Sequence, residues 1–135
     1  MFEGGGDAVS LVAVGLGGLL GTLLRYTVGL LIPTISLFPL GTLCINWAGC
    51  IFLGWFFTIT VNKWTISPNV RLGIGTGVTG AFTTFSTFSV DTVTLLRDNH
   101  ALLALVYVLS SILVGIFLVW IGFLLARQGQ RKVHQ

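Results

Sequence analysis

Charge is what this sequence has least of. Asp, Glu, Lys and Arg make up 8% of its 135 residues, where a soluble domain carries about 25%. Hydrophobic residues make up 54% and the mean hydropathy is +0.96, so the chain cannot cover a folded surface with groups that hold water, and a soluble fold is excluded. Basic clusters are also missing. Lys and Arg stand singly at the ends of apolar runs, apart from Arg127, Arg131 and Lys132, which is no footprint for a nucleic acid. The two cysteines, Cys44 and Cys50, share one apolar run. Six positions turn them roughly 240° around a helix, so they form neither a disulfide nor a metal pair. Glu3 and Asp7 precede the first apolar run with no basic stretch, which argues against a cleaved signal peptide.

What fills the chain instead is four apolar stretches of membrane-spanning length, 8–32, 37–61, 70–96 and 101–126, each near the ~20 residues that a bilayer core requires. The connectors are short, so the expected fold is an all-α membrane protein forming a single transmembrane domain over 1–135. An even number of spans puts both termini on one side. That side carries Lys63, Arg71, Arg127, Arg131 and Lys132, and the other carries Arg25 and Arg97. Without the tail pair the bias is three against two, a difference small enough to make insertion in both orientations a serious expectation.

No His, Lys or Glu lies within any of the four stretches. Proton-coupled transport usually needs a titratable relay near the midplane, and no Ser/His, Ser/Lys or paired-carboxylate set exists there for an intramembrane enzyme. The ionisable groups that do occur are Arg25 and Asp91, with Arg71 at a span end. Arg25 is within snorkelling reach of water and either packs beside a vestibule or attracts an anion. Asp91 lies close enough to its span end for a capping or ion-pair role.

The third stretch is too polar to face lipid. Gly73, Gly75, Gly77 and Gly80 crowd its first half, and each Gly weakens a helix by ~1 kcal/mol relative to Ala, so a break near 80–84 is predicted. Irregular backbone at membrane depth is tolerated only inside protein or beside water. Small residues at helix-contact spacing, Gly17 with Gly21, Cys50 with Gly54, Gly73 with Gly77 and Ser111 with Gly115, let backbones approach closely. Asn46 sits mid-span with Thr42 one turn earlier on the same face, and Tyr107 and Ser111 repeat that spacing. Within Thr83-Thr84-Phe85-Ser86-Thr87-Phe88-Ser89, Phe85 and Phe88 share a helix face among hydroxyls. The positive edges of such rings, with neutral N–H and O–H donors, can meet a dehydrated anion without a charge that would trap it. Ordinary packing of the two rings is the competing reading.

Three blocks carry a family resemblance: Gly17-Gly18-Leu19-Leu20-Gly21-Thr22-Leu23-Leu24-Arg25-Tyr26, then Gly41-Thr42-Leu43-Cys44-Ile45-Asn46-Trp47-Ala48-Gly49, then Gly80-Ala81-Phe82-Thr83-Thr84-Phe85-Ser86-Thr87-Phe88-Ser89. Together they closely resemble the Fluc (CrcB-type) fluoride channel family over roughly residues 10 to 126. The resemblance implies four transmembrane helices per subunit with a broken third, an antiparallel dual-topology homodimer in the cell membrane, two fluoride pores and a structural Na⁺ at the dimer centre. It makes Phe85 and Phe88 the pore rings and Asn46 an amide donor, with Thr42, Ser86, Thr87, Tyr107 and Ser111 as members of a polar track. It also makes the backbone carbonyls of Gly80 and Thr83 the Na⁺ ligands and Arg25 a vestibule or structural residue. This sequence departs from the pattern at Asp91, where Glu is expected, at Ala81, where Gly is common, and at Gly115, where some members carry Ser. The alternatives are a small proton-coupled multidrug-type transporter, which wants a carboxylate that 8–32 lacks, and a non-transporting assembly subunit.

Overall fold

The computed structural model describes residues 6–32, 37–62 and 64–131. Residues 33–36, between the first two apolar stretches, and Glu3, Lys63 and Lys132 lie outside them. The ordered elements among the described residues are all helical, with no strand among them: α1 (Gly6–Leu31), α2 (Leu40–Asn62), α3 (Pro68–Leu72), a π-helical segment (Gly73–Val78), α4 (Thr79–Phe82), α5 (Phe85–Arg97) and α6 (Ala101–Arg131). Three of these are long and apolar enough to cross a membrane, over Ala8–Leu31, Leu40–Asn62 and Ala101–Gln128. The stretch expected as a third span is assembled from shorter pieces.

Local chemistry accounts for those pieces. Ser67 caps α3 by accepting from the Val70 N–H at 3.3 Å, and Pro68 opens the helix, where its missing N–H costs nothing. The glycine-rich run then widens into π turns: the Thr79 N–H and its hydroxyl both reach back to the Ile74 carbonyl, the hydroxyl at 3.1 Å. Helix stops at Phe82, because Thr83 and Thr84 are extended (ψ 158° and 122°). It restarts when the Thr84 side chain accepts from the Thr87 N–H at 3.2 Å, an N-cap for α5. At the far end of α5, Asn99 adopts φ 62°, a left-handed conformation that Asn tolerates. It closes the helix with His100 N–H to Leu95 O (2.8 Å) and Asn99 N–H to Leu96 O (3.2 Å).

Two glycine seams hold the helices together. α1 lies on the π segment and α4: a Cβ on Gly17 would strike the Gly73 carbonyl and one on Gly21 the Val78 carbonyl, so backbones touch directly, as packing without a hydrophobic driving force requires. α2 runs along α6, where Gly54 faces the Val119 carbonyl and Gly122 the Ile51 carbonyl. A buried cluster of Leu43, Leu95, Ala104 and Tyr107, with Phe38, Trp47 and Phe88 against it, joins α2, α5 and α6. This places α5 and the extended Thr83–Thr84 pair beside the polar face of α2.

Candidate ion site around Asn46 and Thr84

Asn46 is the hub of the site. Its Nδ2 donates to the Thr84 carbonyl at 3.1 Å and its Oδ1 accepts from the Thr84 N–H at 2.8 Å, so one side chain satisfies both backbone groups of a residue that has left the helix. In an uninterrupted helix the Thr84 N–H would bond to Gly80 O, and the Thr87 N–H to Thr83 O. The first goes to Asn46 and the second to the Thr84 hydroxyl. The carbonyls of Gly80 and Thr83 thereby lose their i+4 donors. Backbone carbonyl oxygens are hard donors, the ligand type that suits a hard cation such as Na⁺.

Around this hub the hydroxyls are mutually bonded. Thr84 Oγ1 donates to Thr87 Oγ1 at 3.0 Å and lies 3.2 Å from Ser86 Oγ. Phe85 and Phe88 stand with ring centroids 5.8 Å apart, and Phe88 lies 5.2 Å from Tyr107. Phe88 is half-buried, whereas Phe85 is 80% exposed on this subunit. Thr42 and Tyr107 do not stand free: the Thr42 hydroxyl donates to Asp91 Oδ2 at 2.7 Å and the Tyr107 hydroxyl to the same oxygen at 3.3 Å. Asp91 therefore accepts two neutral hydrogen bonds, with neither an ion pair nor a cap among the described residues. Ser111 presents a buried hydroxyl with no partner, and so does the indole N–H of Trp47.

Arg25, half-buried, lines an open cavity of about 590 Å³ together with Thr42, Thr84, Ser86, Thr87 and Asp91. The cavity thus joins one cation, one carboxylate and the hydroxyl cluster, and Arg25 forms no ion pair with a described residue. Sequence reasoning missed two residues. Thr84 is the pivot of the hydrogen bonds, a role signalled only by the Thr-x-x-Thr spacing of an N-cap. Trp47 offers an unpaired donor, and an apolar run gives no sign of that.

Three membrane-length helices among the described residues, with no strand beside them and a polar interruption at Thr83–Thr84, define a multi-pass membrane protein with a polar site. The match to known proteins is specific. The family model for CrcB-like protein, Camphor Resistance (CrcB), fits residues 12–123. The chain is 42% identical over 112 residues to "Fluoride-specific ion channel FluC 1" of Desulfitobacterium hafniense, covering 83% of this chain and 98% of that protein. It is 42% identical over 113 residues to "Fluoride-specific ion channel FluC" of Pyrococcus horikoshii, covering 84% and 92%, and 46% identical over 116 residues to "Fluoride-specific ion channel FluC 1" of Bacillus cereus, covering 84% and 81%. The chain belongs to the CrcB family.

Proposed function

We propose that this chain is a fluoride-selective channel that lets F⁻ leave the cell passively and so protects against fluoride toxicity. The observation that carries the reading is the Asn46 clamp on Thr84. It holds the backbone open at the point where two phenylalanine rings and a cluster of hydroxyls gather, in a chain whose named relatives are fluoride-specific channels. A small anion gives up hydration only if donors replace it. Neutral donors at Asn46, Ser86, Thr87 and Ser111, with ring edges at Phe85 and Phe88, stabilise the ion without holding it so tightly that it cannot leave. Arg25 supplies a favourable potential at the mouth. Thr42 and Tyr107 belong to the same track but first hold Asp91, so in this arrangement their protons serve the carboxylate.

The proposal extends to an antiparallel homodimer of four-span subunits, each with its third span interrupted at Thr83–Thr84. The near balance of Lys and Arg between the two sides supports dual orientation, and the exposure of Phe85 supports a second copy completing the pathway. A cysteine label near the C-terminus, probed from one side of intact cells, should modify about half of the chains in such a population; all-or-none labelling contradicts it. The carbonyls of Gly80 and Thr83 are the proposed ligands of a structural Na⁺, which when bound supplies the positive charge that these oxygens lack. The functional test is growth of a fluoride-sensitive bacterium lacking its own exporter. Expression of this chain should restore growth in fluoride, and growth no better than with empty vector, at confirmed membrane expression, would overturn the reading.

A further inference from the structure

Away from the ion site, α2 and α6 leave an open groove of about 580 Å³ between them, lined by Leu53, Phe57, Ile116, Val119, Trp120 and Phe123 among others and almost wholly apolar. Two of its lining rings carry arginines. The Arg71 guanidinium lies 5.6 Å from the Phe57 centroid, and the Arg127 guanidinium 5.2 Å from the Phe123 centroid. Both arginines belong to the end of the molecule where α2 finishes, α3 begins and α6 approaches its C-terminus. Neither has a carboxylate partner among the described residues. Phe57 is held in turn against Gly75, where a Cβ would come within 2.6 Å of the ring, so the Arg71 platform is fixed by the π segment. The groove continues along α6 from Phe123 through Trp120 and Val119 to Ile116, positions three or four apart that run toward the middle of the membrane.

We infer that this groove binds an anionic phospholipid, its phosphate at Arg71 and Arg127 and one acyl chain along Trp120 and Ile116. A guanidinium held over a ring face by cation–π attraction still has N–H donors to offer a phosphate. An apolar trough leading from them toward the membrane centre matches a lipid tail and offers nothing to a free phosphate or a soluble anion. A phospholipid seated here would tie the α2–α6 pair to the start of the third segment through Arg71 and Phe57, bracing the π segment on which α1 packs.

Native mass spectrometry of the full-length protein extracted from phosphatidylglycerol/phosphatidylcholine vesicles tests the proposal. Each basic side chain near an anionic surface favours binding about fivefold, so two arginines should enrich retained phosphatidylglycerol about thirtyfold over phosphatidylcholine. The double variant Arg71→Gln/Arg127→Gln should abolish that preference. Equal retention of both lipids by the parent, or an unchanged preference in the double variant, would overturn it. Position is read separately with Trp120 as the sole tryptophan (Trp47→Phe, Trp55→Phe, Trp64→Phe). Phosphatidylglycerol with brominated acyl chains should quench it more than brominated phosphatidylcholine. Absence of quenching by either lipid would mean that protein, such as a second copy of the chain, covers the groove and that the lipid site does not exist.

Discussion

Replacing Asn46 by Leu removes both hydrogen bonds that hold Thr84 out of the helix while roughly keeping the side-chain volume. Thr84 is 8% exposed, so water cannot readily replace the lost partners. Each buried backbone group left unpaired costs about 1–3 kcal/mol, and two cost about 2–6 kcal/mol. The control is Thr58→Val on the same helix. Its hydroxyl bonds only to the Gly54 carbonyl, at 2.6 Å, within its own helix, and the loss should be below about 1 kcal/mol. Denaturant unfolding of purified protein, followed by tryptophan fluorescence, measures both. If Asn46→Leu lies within about 0.5 kcal/mol of the parent, the size of an ordinary surface substitution, the clamp is not what keeps Thr83 and Thr84 extended. The same variant should lose most fluoride flux, because it removes the amide donor from the polar track.

Phe85 and Phe88 separate packing from conduction. Phe88→Leu should lose about 0.5–1.5 kcal/mol of stability with its Tyr107 contact, whereas the exposed Phe85 should tolerate Leu within one subunit. Both should lower fluoride efflux about tenfold or more, the equivalent of about 1.4 kcal/mol of lost ion stabilisation; parental flux in both would remove them from the pathway. Gly17→Ala should destabilise by about 1–3 kcal/mol because its Cβ meets the Gly73 carbonyl. Gly18→Ala, with nothing within 4 Å, should be neutral or gain up to ~1 kcal/mol from helix propensity, and equal effects in unfolding assays would contradict the seam. Exchanging Na⁺ for a large organic cation should weaken dimer stability in denaturant, and no change would argue against Gly80 and Thr83 as cation ligands.

Much of this site was legible from residue spacing. Thr42 and Asn46, one turn apart, both turn toward α5, as their shared face requires, and the Gly17–Gly21 pair of α1 lies against backbone as small-residue spacing implies. The target of each donor was not legible. Asn46 reads as an amide needing partners, but only the fold reveals that Thr84 takes both ends. Asp91 invites a cap or an ion pair and instead accepts from Thr42 and Tyr107, because α5 lies against α2 and α6. The π turns over Gly73–Val78 were hidden for a related reason. Glycine weakens a helix in any sequence, and the close approach of Gly73 and Gly77 to Ala13 and Val14 of α1 is visible only in the fold. The arginine-topped groove needs two rings from separate helices, a pairing that no single segment announces.

Ion efflux from liposomes containing only this protein, read in parallel with fluoride- and chloride-selective electrodes at equal pH inside and out, tests the central claim most directly. Neutral donors and ring edges around Asn46 and Thr84 predict rapid fluoride efflux, made faster by a potassium ionophore that relieves the charge left behind, with chloride close to the protein-free rate. Fluoride release no faster than from empty liposomes, equal release of the two ions, or release that depends on a pH gradient would contradict it.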